Sequence, residues 1–163
     1  MIADIRPRRS AGQFKRKVQA LAFKSYAKTL IAAGAILFLL GLLQGAAIQM
    51  FLNPRLALSA HLTAVQSGMA LMIAGIIWPA IALNAALKKA AQWSIILGMY
   101  ALWAGLTLSA ATGASTALPI AGKGFHADQL VELGASALIL GASAVMTLGW
   151  LLFVTGIIRS KET

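Results

Sequence analysis

The residue with the most distinctive chemistry is His61, which stands at the start of a long apolar run. It follows a polar turn at residues 53–55 and opens about twenty uncharged residues, enough to cross a bilayer as a helix. An imidazole in that position is costly unless something pairs with it. Two pairings suit it: a hydrogen bond to a neighbouring helix, or ligation of a haem iron, for which imidazole is a common proximal ligand.

The position of the second histidine bears on whether one or two histidines would ligate a haem iron. His126 falls in a loop of small residues rather than on a facing span at the same depth. Two axial imidazoles, an arrangement suited to electron transfer, are therefore less favoured than one histidine with a sixth position open to a substrate. His61 would then be the metal ligand, and Arg55 could pair its guanidinium with a propionate carboxylate. Arg55 could equally be a topology charge or contact a lipid phosphate.

Two polar residues, Gln66 and Ser67, follow His61 on the same run. A helix turns about 100° per residue, so they lie about 140° and 240° around the axis from His61 and point to different neighbours. Within one subunit at most one of them can share a pocket with His61, whereas an oligomer could use both. As candidate catalytic residues they would hold the polar end of a substrate; alternatively they hydrogen-bond across helices as packing contacts.

The third apolar run carries an aromatic and hydroxyl stripe. Tyr100, Trp103 and Thr107 have the spacing i, i+3, i+7 and therefore share one helical face. Such a stripe is typical of packing, but it could also line an apolar pocket with a hydroxyl pointing inward. Tyr100 and Thr107 are for that reason further candidate catalytic residues.

The acidic residues near the start of the fourth run have simpler interpretations. Asp128 stands where an N-cap is expected. Glu132 lies in the first turn, where the helix N-terminus stabilises a carboxylate; alternatively it could serve a transporter. The sequence contains no nucleophile–base pair, no phosphate-binding glycine loop and no His/Glu metal cluster.

The composition indicates an integral membrane protein. Of the 163 residues, 60% are hydrophobic and 11% are charged, against about 25% charged in a soluble domain. The absence of cysteine excludes disulfides, thiolate catalysis and zinc–thiolate or iron–sulfur sites. The net charge of +10 lies beside the apolar runs, as topology signals do, so no nucleic-acid partner is expected.

The apolar runs predict an all-α, four-helix bundle that spans the membrane. The predicted spans are about residues 29–51, 62–87, 93–111 and 130–158. Gly41 and Gly45 form a small-xxx-small pair that lets another helix approach closely. A second stripe predicts a packing seam on the fourth span; it consists of Gly134, Gly141, Gly149 and Gly156.

The basic residues predict the topology. Residues 1–28 hold eight of the fourteen Lys and Arg and form either a basic amphipathic helix on an anionic leaflet or a disordered tail. With Lys88, Lys89, Arg159 and Lys161, twelve of the fourteen lie on one side of the membrane. The positive-inside rule then predicts both termini in the cytoplasm and an inner-membrane location.

One block of the sequence resembles a known family. The stretch NPRLALSAHL…SGM…GIIWP is similar to the corresponding block of the hydroxylaminobenzene mutases, and more distantly to that of the styrene oxide isomerases. The shared features are an Ala-His, a Gly-Met, a proline, a Lys-Lys and a Ser-Ile-Ile; here they fall at residues 60–61, 68–69, 79, 88–89 and 94–96. The resemblance extends from about residue 29 to about residue 159.

The resemblance implies four helices per subunit, a homotrimer, and a haem b between adjacent subunits with His61 as its ligand. Two positions depart from the family pattern. The family has an asparagine directly before the glycine, where this chain has Ser67 beside Gln66. The isomerases' active-site tyrosine aligns near Thr107, whereas the tyrosine here is Tyr100.

The favoured hypothesis is a haem-dependent intramolecular isomerase that converts an aryl hydroxylamine to an aminophenol, with a small aromatic substrate and membrane lipid as its partners. Conversion of an epoxide to an aldehyde is the alternative within this class. The alternatives outside it are a non-catalytic haem-carrying anchor subunit and a small four-helix transporter that uses Glu132.

Overall fold

The computed structural model describes the backbone of residues 8–160 and the side chains of residues 25–160. All regular structure in that part of the chain is helical. The long helices are α1 (Arg8–Ala46), α2 (Pro54–Ile77), α3 (Ala85–Thr112) and α4 (Gln129–Ile158), and short 3₁₀ turns lie at Ile48–Met50 and Trp78–Ala80. The predicted amphipathic face of residues 1–28 falls mostly on side chains outside this range.

Four segments are long and apolar enough to cross a membrane. They are Ser25–Ala46, Pro54–Ala80, Ala85–Thr112 and Gln129–Ile158. The all-α class and the four spans predicted from the sequence are therefore confirmed, and the chain is a multi-pass membrane protein. The helices pair as two hairpins, α1 with α2 and α3 with α4, and the hairpins meet mainly where α2 packs on α3.

The start of the second span was predicted too late in the chain. Helix α2 begins at Pro54 because the Asn53 side chain accepts hydrogen bonds from the backbone N–H groups of Arg55 and Leu56, at 3.1 and 3.2 Å. An asparagine N-cap followed by proline at the first helical position is a strong helix start. His61 consequently lies about two turns inside α2 rather than at its mouth.

The boundary between the second and third spans also differs from the prediction. Pro79 ends the second span in a 3₁₀ turn instead of kinking a longer helix, since proline disfavours the helical conformation before it and removes a backbone donor. Asn84 then caps α3 by accepting from the backbone N–H of Leu87 at 2.9 Å. Lys88 and Lys89 therefore lie in the first turns of α3, not in a turn between spans.

Helices α1 and α2 are in backbone contact because glycines face each other. A Cβ added to Gly34 would lie 2.6 Å from the carbonyl oxygen of Gly68, and one added to Gly68 would lie 2.7 Å from the carbonyl oxygen of Gly34. Further along α1, a Cβ at Gly41 would lie 2.8 Å from that of Ala64. The prediction that the Gly41–Gly45 pair admits a neighbouring helix is confirmed, and that helix is α2.

Two of the four glycines in the predicted seam on α4 pack against other described residues of the subunit. Gly149 lies against Ile95, whose side chain would be 2.7 Å from a Cβ added to the glycine, and Gly156 lies against Ile81. A Cβ added to Gly134 or Gly141 would have no other described residue within 4 Å. The single stripe inferred from the sequence therefore consists of a packed half and an open half.

The α1–α2 contact predicts a difference between two glycine variants. Gly34→Ala is expected to lower the free energy of unfolding by about 1–3 kcal/mol, as overpacking does, because the new methyl would meet a backbone carbonyl. Gly141→Ala is the matched control in open space. Thermal unfolding of both variants in detergent checks the expectation, and equal losses of stability would contradict it.

Candidate functional site

His61 is hydrogen-bonded to the backbone of α1. Its Nδ1 lies 2.7 Å from the carbonyl oxygen of Gly41. The ring packs on the same turn of α1, where a Cβ added to Gly45 would come within 2.8 Å of Nδ1 and Cε1. Glycines at both positions thus leave room for the half-buried imidazole against α1. The turn of α1 from Gly41 to Gly45 is called the seat of His61. The first alternative for His61, a hydrogen bond to a neighbouring helix, is correct for one ring nitrogen.

The other ring nitrogen remains able to bind a metal. A carbonyl oxygen only accepts hydrogen bonds, so Nδ1 carries the proton and the neutral ring keeps its lone pair on Nε2. No other described residue hydrogen-bonds this ring. Metal-ligating histidines usually donate their second N–H to a carbonyl or carboxylate in this way, which fixes the tautomer. The residues present therefore fit a haem iron held through Nε2 of His61.

A residue that the sequence analysis missed, Gln44, connects this turn of α1 to α3. Its amide oxygen accepts from the indole N–H of Trp103 at 2.6 Å, and its amide nitrogen donates to the Thr107 hydroxyl at 3.0 Å. The Thr107 hydroxyl donates in turn to the Trp103 carbonyl at 2.8 Å. Gln44 is 7% exposed. The signal in the sequence was the amide side chain of Gln44 in an apolar run, between Gly41 and Gly45.

Tyr100 is separated from the other two residues of the predicted stripe. Its hydroxyl donates to the carbonyl oxygen of Ala33 on α1 at 2.8 Å. Its ring lines an apolar groove of about 590 Å³ between α1 and α3, with Trp93 and Lys28 toward one end. The stripe therefore divides into Tyr100 on this groove and a Trp103–Thr107 pair held by Gln44.

Gln66 and Ser67 face away from the seat of His61. Both line a second groove, of about 420 Å³, formed by α2, α3 and α4 and lined also by Met146 and Trp150. Neither side chain has a hydrogen-bond partner in the described part of the chain, so neither forms an interhelical hydrogen bond there. The structure leaves His61 on another face of α2, in agreement with the helical rotation, but it brings Gln66 and Ser67 to one groove. The rotation also predicts different neighbours for these two residues, and that prediction is wrong because the groove between α2, α3 and α4 is wide enough to take both side chains.

Arg55 is exposed in the first turn of α2. Its backbone N–H bonds to Asn53, and its guanidinium has no hydrogen-bond or ion-pair partner among the described residues. The side chain is therefore open to an external anion.

Glu132 organises the loop between α3 and α4. Its carboxylate accepts from the backbone N–H groups of Ser115 at 3.0 Å, Thr116 at 2.9 Å and Ala127 at 3.2 Å. Asp128 occupies the N-cap position as predicted, but its side chain makes no cap hydrogen bond. The contacts of Glu132 give it an anchoring role and offer no support for the transporter hypothesis.

The same loop is tied to the start of α2 through Asn53. The fully buried Asn53 donates its side-chain amide to the carbonyl oxygen of Ala121 at 3.2 Å, and its backbone N–H to that of Ala110 at 3.0 Å. One residue therefore caps α2 and fixes the loop above it. His126 lies exposed in this loop, away from the seat of His61.

Fold and site together define a class of protein: a helical membrane protein with one histidine packed against a neighbouring helix and with two grooves between its helices. Comparison with known families assigns it further: the family model described as styrene oxide isomerase matches residues 26–158. The chain belongs to this family, and it is accordingly an isomerase.

Two curated relatives narrow the similarity. The chain is 36% identical to hydroxylaminobenzene mutase HabA of Ectopseudomonas oleovorans over 131 residues, which are 80% of this chain and 97% of the relative. It is 37% identical to hydroxylaminobenzene mutase HabB of the same organism over 129 residues, 73% of this chain and 79% of the relative. No solved structure matches the chain. The resemblance stated from the sequence is thereby confirmed.

The role of Glu132 predicts a local change in loop stability. Glu132→Gln is expected to speed hydrogen exchange at the amides of Ser115, Thr116 and Ala127 by about tenfold or more, since a charged carboxylate is a stronger hydrogen-bond acceptor than a neutral amide. Asp128→Asn is the control, because its side chain caps nothing. Unchanged exchange in Glu132→Gln, or equal acceleration in both variants, would refute the anchoring role.

Proposed function

We propose that this isomerase is a haem-dependent mutase that converts an aryl hydroxylamine to an aminophenol. The observation that carries the proposal is the hydrogen bond from Nδ1 of His61 to Gly41, which leaves Nε2 free to hold an iron. The curated relatives, both hydroxylaminobenzene mutases, support the choice of substrate class.

In this proposal His61 holds haem b, which supplies a Lewis-acidic iron that polarises the substrate's oxygen or nitrogen. The rearrangement is balanced without an external reagent: the N–O bond breaks, a C–O bond forms on the ring, and one proton moves from the ring carbon to nitrogen. Gln66 and Ser67 hydrogen-bond the polar end of the substrate and keep the departing oxygen near the acceptor carbon. The apolar lining beside them excludes water, which would otherwise compete for that carbon.

The active site is completed between subunits of a homotrimer. Within one subunit His61 faces α1, whereas Gln66 and Ser67 open into the groove with α4. A ring of three copies lets the His61 side of one subunit meet the groove of the next. In that arrangement Arg55, whose guanidinium has no partner among the described residues of its own subunit, pairs with a haem propionate.

The subunits lie in the inner membrane with both termini in the cytoplasm. The distribution of basic residues supports this orientation. Residues 1–28 would then contact the anionic headgroups of the inner leaflet, which are the lipid partner of the protein.

The second candidate reaction is the isomerisation of an aryl epoxide to an aldehyde. The match to the styrene oxide isomerase family favours it. It places the same demands on the site, because a C–O bond is polarised and broken, a hydrogen shifts to the neighbouring carbon and no atom leaves. The Thr107 position, where those isomerases have a tyrosine, favours the hydroxylamine over styrene oxide itself.

The two histidines of the chain provide a matched test. Purified wild-type protein and His126→Ala are expected to show a Soret band and to convert phenylhydroxylamine to aminophenol above the uncatalysed background. His61→Ala is expected to lose both, because the iron loses its ligand. Added imidazole should restore the band partly, which separates loss of the ligand from misfolding. A colourless wild-type protein, or a His61→Ala variant with full colour and activity, would refute the proposal.

Mixing subunits tests whether the site is shared. His61→Ala and the double variant Gln66→Leu/Ser67→Ala are each expected to be inactive alone. Co-expressed in equal amounts, they should form mixed trimers with about a quarter of wild-type activity, because about one interface in four joins an intact histidine to an intact groove. Activity that stays at background in the mixture would show that each site lies within one subunit.

A further inference from the structure

We infer that Gln44 is a positioning residue for His61: by anchoring one turn of α1 to α3, it fixes the carbonyl that orients the imidazole. This inference rests on the proposed function, since it concerns how firmly the histidine holds its iron. It goes beyond that function by assigning a role to a buried side chain that neither hydrogen-bonds the imidazole nor lines the lateral grooves.

The amide of Gln44 is used at both ends. Its oxygen accepts from Trp103 at 2.6 Å and its nitrogen donates to Thr107 at 3.0 Å, and Trp103 and Thr107 are bonded to each other. Both partners lie on α3, four residues apart, so the contact fixes the rotation of α1 about its axis as well as its distance from α3. An amide buried in an apolar environment with two such partners is costly to displace.

The anchored turn is the one that seats His61. Gly41, which accepts the imidazole N–H, is three residues before Gln44, and Gly45, on which the ring packs, is the next residue. In an α-helix these positions lie within about one turn, so a rotation of α1 that moves Gln44 also moves the Gly41 carbonyl. The seat of His61 therefore depends on α3, although α3 does not hydrogen-bond the histidine itself.

Two other polar contacts join α1 and α3 at a distance from this turn. Gln92 donates to the Tyr26 carbonyl at 3.2 Å, and Tyr100 donates to the Ala33 carbonyl at 2.8 Å. Gln92 is, like Gln44, a glutamine buried between these two helices. It contacts α1 well over ten residues before Gly41, so it is a matched control: loss of its hydrogen bond weakens the same helix pair without touching the seat of His61.

The test measures release of haem from the purified holoprotein to excess apomyoglobin. Gln44→Met is expected to release haem about tenfold or more faster than wild type, the usual effect of removing a residue that orients a metal ligand. Gln92→Met is expected to stay within about twofold of wild type, although it also loses a hydrogen bond of a buried glutamine between α1 and α3: one at Gln92, against two at Gln44. Thermal unfolding in the same detergent shows whether the two substitutions destabilise the bundle equally.

Thr107→Val gives an independent variant should Gln44→Met fail to fold. It removes the acceptor of the Gln44 amide and is expected to speed haem release in the same direction, with no further increase in the Gln44→Met/Thr107→Val double variant because Gln44→Met already breaks the Gln44–Thr107 hydrogen bond. Equal release rates in Gln44→Met and Gln92→Met, or no change in Gln44→Met and Thr107→Val, would overturn the inference. A wild-type protein without a Soret band would instead refute the proposed function, so the two failures are distinguishable.

Discussion

The site depends on a close contact between two helix backbones. Hydrocarbon solvates apolar side chains as well as protein does, so helices in a bilayer associate through tight packing and interhelical hydrogen bonds. Glycines at 34, 41 and 45 of α1 remove the side chains that would separate it from α2. Only because of this does the Gly41 carbonyl lie within reach of the His61 imidazole at 2.7 Å. The packing motif and the chemistry of the histidine are therefore one feature of the structure.

That contact also determines which way the remaining polar groups face. With His61 turned toward α1, the geometry of a helix directs Gln66 and Ser67 into the groove beside α4, where they have no partner in the described chain. A site that uses both faces of α2 has to be closed by something outside the subunit. The open half of the α4 seam, at Gly134 and Gly141, is a further surface that residues 25–160 leave uncovered.

The features predicted correctly from the sequence are those that depend on residues close together in the chain. The apolar runs defined four spans, the family block singled out His61, and the spacing of Gly41 and Gly45 indicated a close helix contact. The predicted boundaries of the second and third spans were wrong because they followed hydropathy alone. Helices α2 and α3 begin instead where the side chains of Asn53 and Asn84 cap them. Gln44 and the anchoring role of Glu132 were missed because each depends on a partner distant in the chain, Thr107 for Gln44 and Ser115 for Glu132. Whether Gln66 and Ser67 act in catalysis stays a prediction.

Helix α1 is held from two sides, and this bears on the kind of reaction the protein can support. Glycines fix it to α2, and hydrogen bonds from Gln92, Tyr100 and the Gln44 contact fix it to α3 between residues 26 and 44. Each of these polar groups would be costly in the bilayer without its partner, so the arrangement has few alternatives. An isomerase must keep the two parts of its substrate together until the new bond forms. In the proposed reaction, a histidine seated on a helix that is held from two sides would be the fixed point for that requirement.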